Sequence, residues 1–136
     1  MKQNGPQLKR FAELGLSNLE AAALDRTCTV IDIPARTVLC SQGTPGFQLI
    51  WVFAGTADVF RNSALIARAG VNDVIGEGTM LGVNDVCSAD VIAATPMRIA
   101  VMSRSDWHDA AYRAPTLVRR LAEIANSRDR EILDAA

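Results

Sequence analysis

The stretch Leu49-Ile50-Trp51-Val52-Phe53-Ala54-Gly55-Thr56-Ala57-Asp58-Val59-Phe60-Arg61-Asn62-Ser63-Ala64-Leu65-Ile66-Ala67 breaks into three short runs. Residues 49–53, 56–60 and 64–67 are rich in β-branched, aromatic and other apolar side chains that suit a pleated surface. Ala54-Gly55 and Arg61-Asn62-Ser63 punctuate them as turns. The same alternation of strand and turn extends outward in both directions. Upstream lie Cys28-Thr29-Val30-Ile31-Asp32-Ile33, ended by Pro34, and residues 37–40, followed by Gly43-Thr44-Pro45-Gly46. Downstream come residues 74–75, 90–94 and 97–102, with turn signals at Gly70-Val71-Asn72-Asp73 and Thr95-Pro96. Regularly spaced short strands predict a mainly β, antiparallel sandwich or barrel-like roll.

Helices are expected at both ends. Ser17-Asn18-Leu19-Glu20 has the spacing of a capping box, in which Ser17 accepts from the Glu20 amide while Glu20 reaches back. The helix it opens fades near Thr27, and a shorter turn around residues 8–14 precedes it. Ser103-Arg104-Ser105-Asp106 reads as a second cap, opening a helix over 106–113. Pro115 then starts a last helix at its first turn, where a missing amide does no harm. In residues 116–134, Val118, Leu121, Ala125, Arg128 and Ile132 keep 4-3-4-3 spacing, an apolar stripe interrupted by Arg128. Such a stripe suits either a self-packed lid or the seam of a homodimer over 116–132. The expected organisation is one domain over residues 1–136, with helices in 8–27, a roll over 28–102 and helices in 103–134.

Composition excludes several classes of function. At 136 residues, with 49% hydrophobic and 21% charged, the chain is too apolar for disorder. Its longest nearly apolar stretch falls well short of the roughly 20 residues a membrane helix needs. No apolar h-region follows Lys2, so no secretory signal is expected. Cys28, Cys40 and Cys87 show no C-x-x-C spacing and read as reduced thiols, which points to the cytoplasm. A net charge of −1 lacks the footprint of a nucleic-acid binder. Nor does a helix pair follow the last helix to serve as a recognition motif, so no DNA binding is expected. Residues 69–97 contain Asp73, Glu77, Asp85 and Asp90 but no Lys or Arg. An anion held there needs backbone dipoles or a cation from another segment.

His108 is the only histidine. A metal-dependent β-roll would want several such ligands. No nucleophile–base–orienter set can be assembled without it either, so no catalytic residue, metal or cofactor is expected. In Asp106-Trp107-His108-Asp109 it reads as a helix-surface residue. Trp51 and Trp107 read as core or junction residues.

The ordered pieces of this chain resemble a family, the cyclic-nucleotide-binding domains of catabolite-activator-type regulators and of kinase regulatory subunits. The pieces are Ile33-Pro34-Ala35 before Val38-Leu39, Gln42-Gly43-Thr44-Pro45-Gly46 before Leu49, and Ala54-Gly55-Thr56-Ala57-Asp58-Val59. Gly70 before Asp73, Ile75-Gly76-Glu77 and Ser88-Ala89-Asp90-Val91-Ile92-Ala93 complete the series. The resemblance implies an antiparallel, jelly-roll-like β-roll flanked by helices, with a phosphate-binding cassette over residues 76–91. It implies that Gly76 permits close backbone approach and that Glu77 accepts from the ribose 2′-hydroxyl. The amides of Gly78 and Thr79 would face the cyclic phosphate at a helix N-terminus, where orphan donors and the dipole favour an anion. The family's cassette ends in Arg-Ser/Ala-Ala with the arginine on the phosphate. Here Val86-Cys87-Ser88-Ala89 puts Cys87 at that place, while Ser88 and Ala89 match. Arg36 stands where the family has a turn glycine, a matter of conformation.

A charge-assisted hydrogen bond is worth about 1.5–3 kcal/mol, so Cys87 for arginine weakens binding about ten- to a hundredfold. The expectation is a stand-alone cyclic AMP or cyclic GMP sensor with a weakened pocket, which Arg119 or Arg120 from the last helix of either protomer would strengthen if it reached the cassette. The alternative is a degenerate fold kept for assembly or partner binding. Cys87 also has a second reading as a reactive thiol. A helix N-terminus would lower its pKa, but the four local acids act the other way.

Overall fold

The computed structural model describes residues 16–45, 48–76, 86–117, 119, 120 and 123. Helix α1 (Asn18–Thr27) is followed by eight strands: β1 (Thr29–Ile33), β2 (Val38–Cys40), β3 (Gln48–Ala54), β4 (Ala57–Arg61), β5 (Ala64–Ala69), β6 (Val74–Ile75), β7 (Asp90–Ala93) and β8 (Met97–Ser103). Helix α2 (Arg104–Arg113) closes the series, and residues 116, 117, 119, 120 and 123 are helical beyond it. Every strand anticipated from the sequence is present. Helix α2 starts two residues earlier than expected, with Ser103 as its cap: the Ser103 hydroxyl accepts from the Asp106 amide at 3.2 Å. The turn expected at residues 8–14 lies outside the described residues, as does most of the 116–132 stripe.

The strands form two four-stranded antiparallel sheets, ordered β1-β8-β3-β6 and β2-β7-β4-β5. Apart from the β4–β5 hairpin, consecutive strands alternate between the sheets, the wrapping of an antiparallel jelly-roll-like β-roll. The alternation of side chains along a strand explains why β3 is apolar from Leu49 onward. Its period of two sends Leu49 and Trp51 to one face and Ile50 and Val52 to the other. Leu49 and Trp51 join Leu24, Met102, Trp107, Ala110 and Leu117 in a core under the helices. Ile50 and Val52 join Val59, Val91, Met97 and Ile99 in a second core between the sheets. A strand covered on both faces has no polar side to show, and each fully buried side chain of this size contributes about 1.5–3 kcal/mol. No described helix is long and apolar enough to cross a membrane.

Turns carry the conformational cost. Asn62 (φ 51°) and Ser63 (φ 67°) are both left-handed at the tip of the β4–β5 hairpin, as a two-residue loop matched to strand twist requires. Arg36 also has a positive φ, 74°, so the residue replacing the family's turn glycine keeps the glycine's conformation.

Helix α1 begins as its sequence predicts. Glu20 N–H donates to Ser17 Oγ at 3.1 Å, and Ser17 N–H donates to Glu20 Oε1 at 2.8 Å. Glu20 is 1% exposed, and its second oxygen accepts from Thr116 Oγ1 at 2.5 Å. The cap of the first helix is therefore also the anchor of the last.

Candidate functional site

Strand β6 delivers the start of the cassette. Ile75 and Val74 pair with Ile50 and Trp51 of β3, and Gly76 follows with φ 86°. A Cβ at Gly76 would lie 2.4 Å from the Gln48 carbonyl oxygen, closer than any real contact. Both the left-handed φ and the backbone approach require glycine here. Glu77, Gly78 and Thr79, the residues the family resemblance assigns to ribose and phosphate, lie outside the described residues.

The end of the cassette is tied to the loop between β2 and β3. Cys87 N–H donates to the Thr44 carbonyl at 2.8 Å, and Gly43 N–H donates to the Cys87 carbonyl at 2.9 Å. The loop is itself braced: Thr44 Oγ1 donates to the Ser41 carbonyl at 2.6 Å. Cys87 is buried, Ser88 is exposed, and Ala89 enters the core between the sheets beside Val91 and Ala93. Gln48, whose carbonyl touches Gly76, lines a cavity of about 350 Å³ together with Cys87. Cys40, Ser41, Thr44 and Pro45 line it as well. Gln48 thus adjoins Gly76 and shares a cavity lining with Cys87.

Electrostatics at the cassette depend on a residue from another strand. Arg61 Nε donates to the Ser88 carbonyl at 3.2 Å. The hairpin that carries it is pinned by a reciprocal amide pair. Gln42 Nε2 donates to Asn62 Oδ1 at 2.9 Å, and Asn62 N–H donates to Gln42 Oε1 at 2.8 Å. Gln42 N–H in turn donates to Asp90 Oδ1 at 2.6 Å, which engages the carboxylate closest in sequence to the cassette's end. Arg120, one of the two cations considered from sequence, instead faces Glu20, with Nε 3.9 Å from its Oε1. Glu20 sits with the helices that cover one face of the β1-β8-β3-β6 sheet, whereas Ala89 packs on the other. A readable signal for Arg61 existed: it follows the inward-facing Val59 by two residues on a strand.

Other sequence candidates fall where their chemistry suggests. Trp51 and Trp107 are buried in the core under the helices, and His108 is exposed on α2. Among the described residues, no three His, Cys, Asp or Glu side chains gather in a way that could hold a metal ion.

Comparison with known proteins places this geometry. Residues 30–113 match the family model of the cyclic nucleotide-binding domain. No curated protein matches the chain significantly. Among solved structures, the chain is similar to a cyclic nucleotide-binding domain from Methylobacillus flagellatus, with TM-score 0.81 and 24% identity over 98% of this chain and 84% of that one. The regulatory domain of Toxoplasma gondii PKA, solved with cAMP, gives TM-score 0.79 and 15% identity over 93% of this chain and 51% of that one. The regulatory subunit of a cAMP-independent protein kinase A from Trypanosoma brucei gives 0.73 and 17% over 93% and 47%.

Proposed function

The chain belongs to the cyclic nucleotide-binding domain family, and from that premise we propose that it is a regulatory module that binds cyclic AMP or cyclic GMP weakly and has no catalytic activity. The observation that carries this reading is Gly76, a left-handed glycine packed so closely on the Gln48 carbonyl that it tolerates no side chain. Gln48 in turn shares a cavity lining with Cys87, the residue the resemblance puts at the arginine's place. The resemblance assigns helix-terminal amides to the segment that follows Gly76, an arrangement that suits a phosphate. The ligand contacts we assign are Gly76, Glu77, Gly78, Thr79, Cys87, Ser88 and Ala89. With Cys87 unable to pair a phosphate, affinity is expected at or above about 10–100 micromolar unless another arginine substitutes. In the same reading the module works in the cytoplasm, does not bind DNA and associates as a homodimer through residues 116–132.

Calorimetric titration with cyclic AMP and cyclic GMP tests the reading. Saturable binding in the micromolar range, abolished by Glu77→Ala, supports it. One observation favours a second reading, a degenerate fold that serves assembly: the residue the resemblance puts at the arginine's place is a buried cysteine. Absence of binding by both the native protein and Cys87→Arg would decide for that reading.

A further inference from the structure

We propose that Arg61 is the anion-pairing residue of this site, reaching from the β4–β5 hairpin to do what the cassette's own missing arginine does not. This rests on the reading of the site as a cyclic-nucleotide pocket and names the residue that would hold its phosphate.

Three observations place Arg61 beside Ser88, next to Cys87 in the chain, although Arg61 is not among the residues lining the cavity. In the β4–β7 ladder Ala57 pairs with Ala93 and Val59 with Val91, and all four are buried in the core between the sheets. The period of two puts Arg61 on that same inward face, one step beyond Val59 at the end of the strand. There its Nε reaches the carbonyl of Ser88, the residue after Cys87. Finally, the hairpin is fixed by the Gln42–Asn62 amide pair and by two left-handed residues at its tip, so the guanidinium stem starts from a rigid base.

The chemistry fits as well. A guanidinium has five N–H donors in a planar fork, and the Ser88 carbonyl takes one. The remaining edge can present two parallel donors, the geometry that matches phosphate oxygens. Among the described residues Arg61 makes no ion pair with a carboxylate, unlike Arg68, Arg113 and Arg120. Residues 69–97 supply no cation, so any cationic partner for a phosphate at the cassette comes from outside that segment.

The test is a calorimetric titration of the native protein and of Arg61→Ala, Arg61→Gln, Cys87→Arg and Arg61→Ala/Cys87→Arg, with cyclic AMP, cyclic GMP and uncharged adenosine as probes. Arg61→Gln keeps a donor for the Ser88 carbonyl and preserves the hairpin should Arg61→Ala not fold. The expected result is a loss of cyclic nucleotide affinity of about ten- to a hundredfold in both Arg61 variants, with adenosine unaffected. Cys87→Arg should recover that loss in the Arg61→Ala background. Native-level affinity in the Arg61 variants overturns this proposal and leaves the cyclic-nucleotide reading intact. Binding by Cys87→Arg but not by the native protein does the same. No binding by either overturns the cyclic-nucleotide reading and this proposal with it.

Discussion

The Thr116 hydroxyl donates to the Glu20 carboxylate at 2.5 Å, joining two residues 96 positions apart. The same carboxylate closes the capping box of α1 and lies near Arg120. One buried acid therefore couples the first helix to the last across the face of the roll. Burial by itself would raise the Glu20 pKa. The hydrogen bonds from Thr116 and Ser17, with the Arg120 charge, more than offset this and hold it below its ordinary value of 4.5.

That balance gives a pH dependence. A carboxyl whose folded pKa is depressed contributes stability that is present above its unfolded pKa and lost as pH falls through the folded one. Glu20→Gln should therefore cost about 1.5–3 kcal/mol at neutral pH, the range for hydrogen bonds to a charged group. The gap should narrow below pH 4.5. Urea denaturation of both proteins from pH 3 upward checks this, and a gap independent of pH would contradict it.

Gly76→Ala should destabilise the fold by about 1–3 kcal/mol, because the substitution adds left-handed strain to a collision with the Gln48 carbonyl. Alanine at Gly70, which has a Cβ position with nothing within 4 Å and no left-handed φ, is the control. Denaturation midpoints of the two variants should separate clearly.

Leu24→Ala should cost about 2–5 kcal/mol even though α1 is not part of either sheet. Leu24 is fully buried against the face of β3 that carries Leu49 and Trp51. If the helices docked only loosely on the roll, the loss measured by thermal or urea unfolding would be far smaller.

Cys87→Arg should tighten cyclic nucleotide binding, by up to about a hundredfold where no other cation serves the phosphate. With Arg61 in place the gain should be at the lower end. Comparing the gain in the native and Arg61→Ala backgrounds measures their coupling as a double-mutant cycle.

A homodimer through residues 116–132 should associate at about micromolar strength, since its stripe is short and interrupted by Arg128. Leu117, at the start of this helix, is buried in its own domain's core, so the seam would begin after it. Sedimentation of the native protein and of Leu121→Asp tests this: a monomer at high concentration, unchanged by the substitution, excludes the dimer.

Much of this architecture could be read before any coordinates. The eight strands, the capping box at Ser17 and the left-handed demand at Arg36 are local properties. Each depends on side-chain period, turn chemistry or φ preference within a few residues, and such preferences are written in the chain itself. The order of motifs likewise identified the family. What the chain could not disclose is which distant residues meet. Arg119 and Arg120 were reasonable cations by sequence, but the helix carrying Arg120 packs with Glu20 on the opposite side of the sheet from Ala89. Arg61 looked like part of a turn, and only the pairing of β4 with β7 and the folding of the hairpin bring it to Ser88. The need for glycine at position 76 also becomes physical only when Gln48 arrives from another strand. Charge pairing and steric exclusion act through space over a few ångströms, and sheet closure rather than sequence proximity decides who comes within that range.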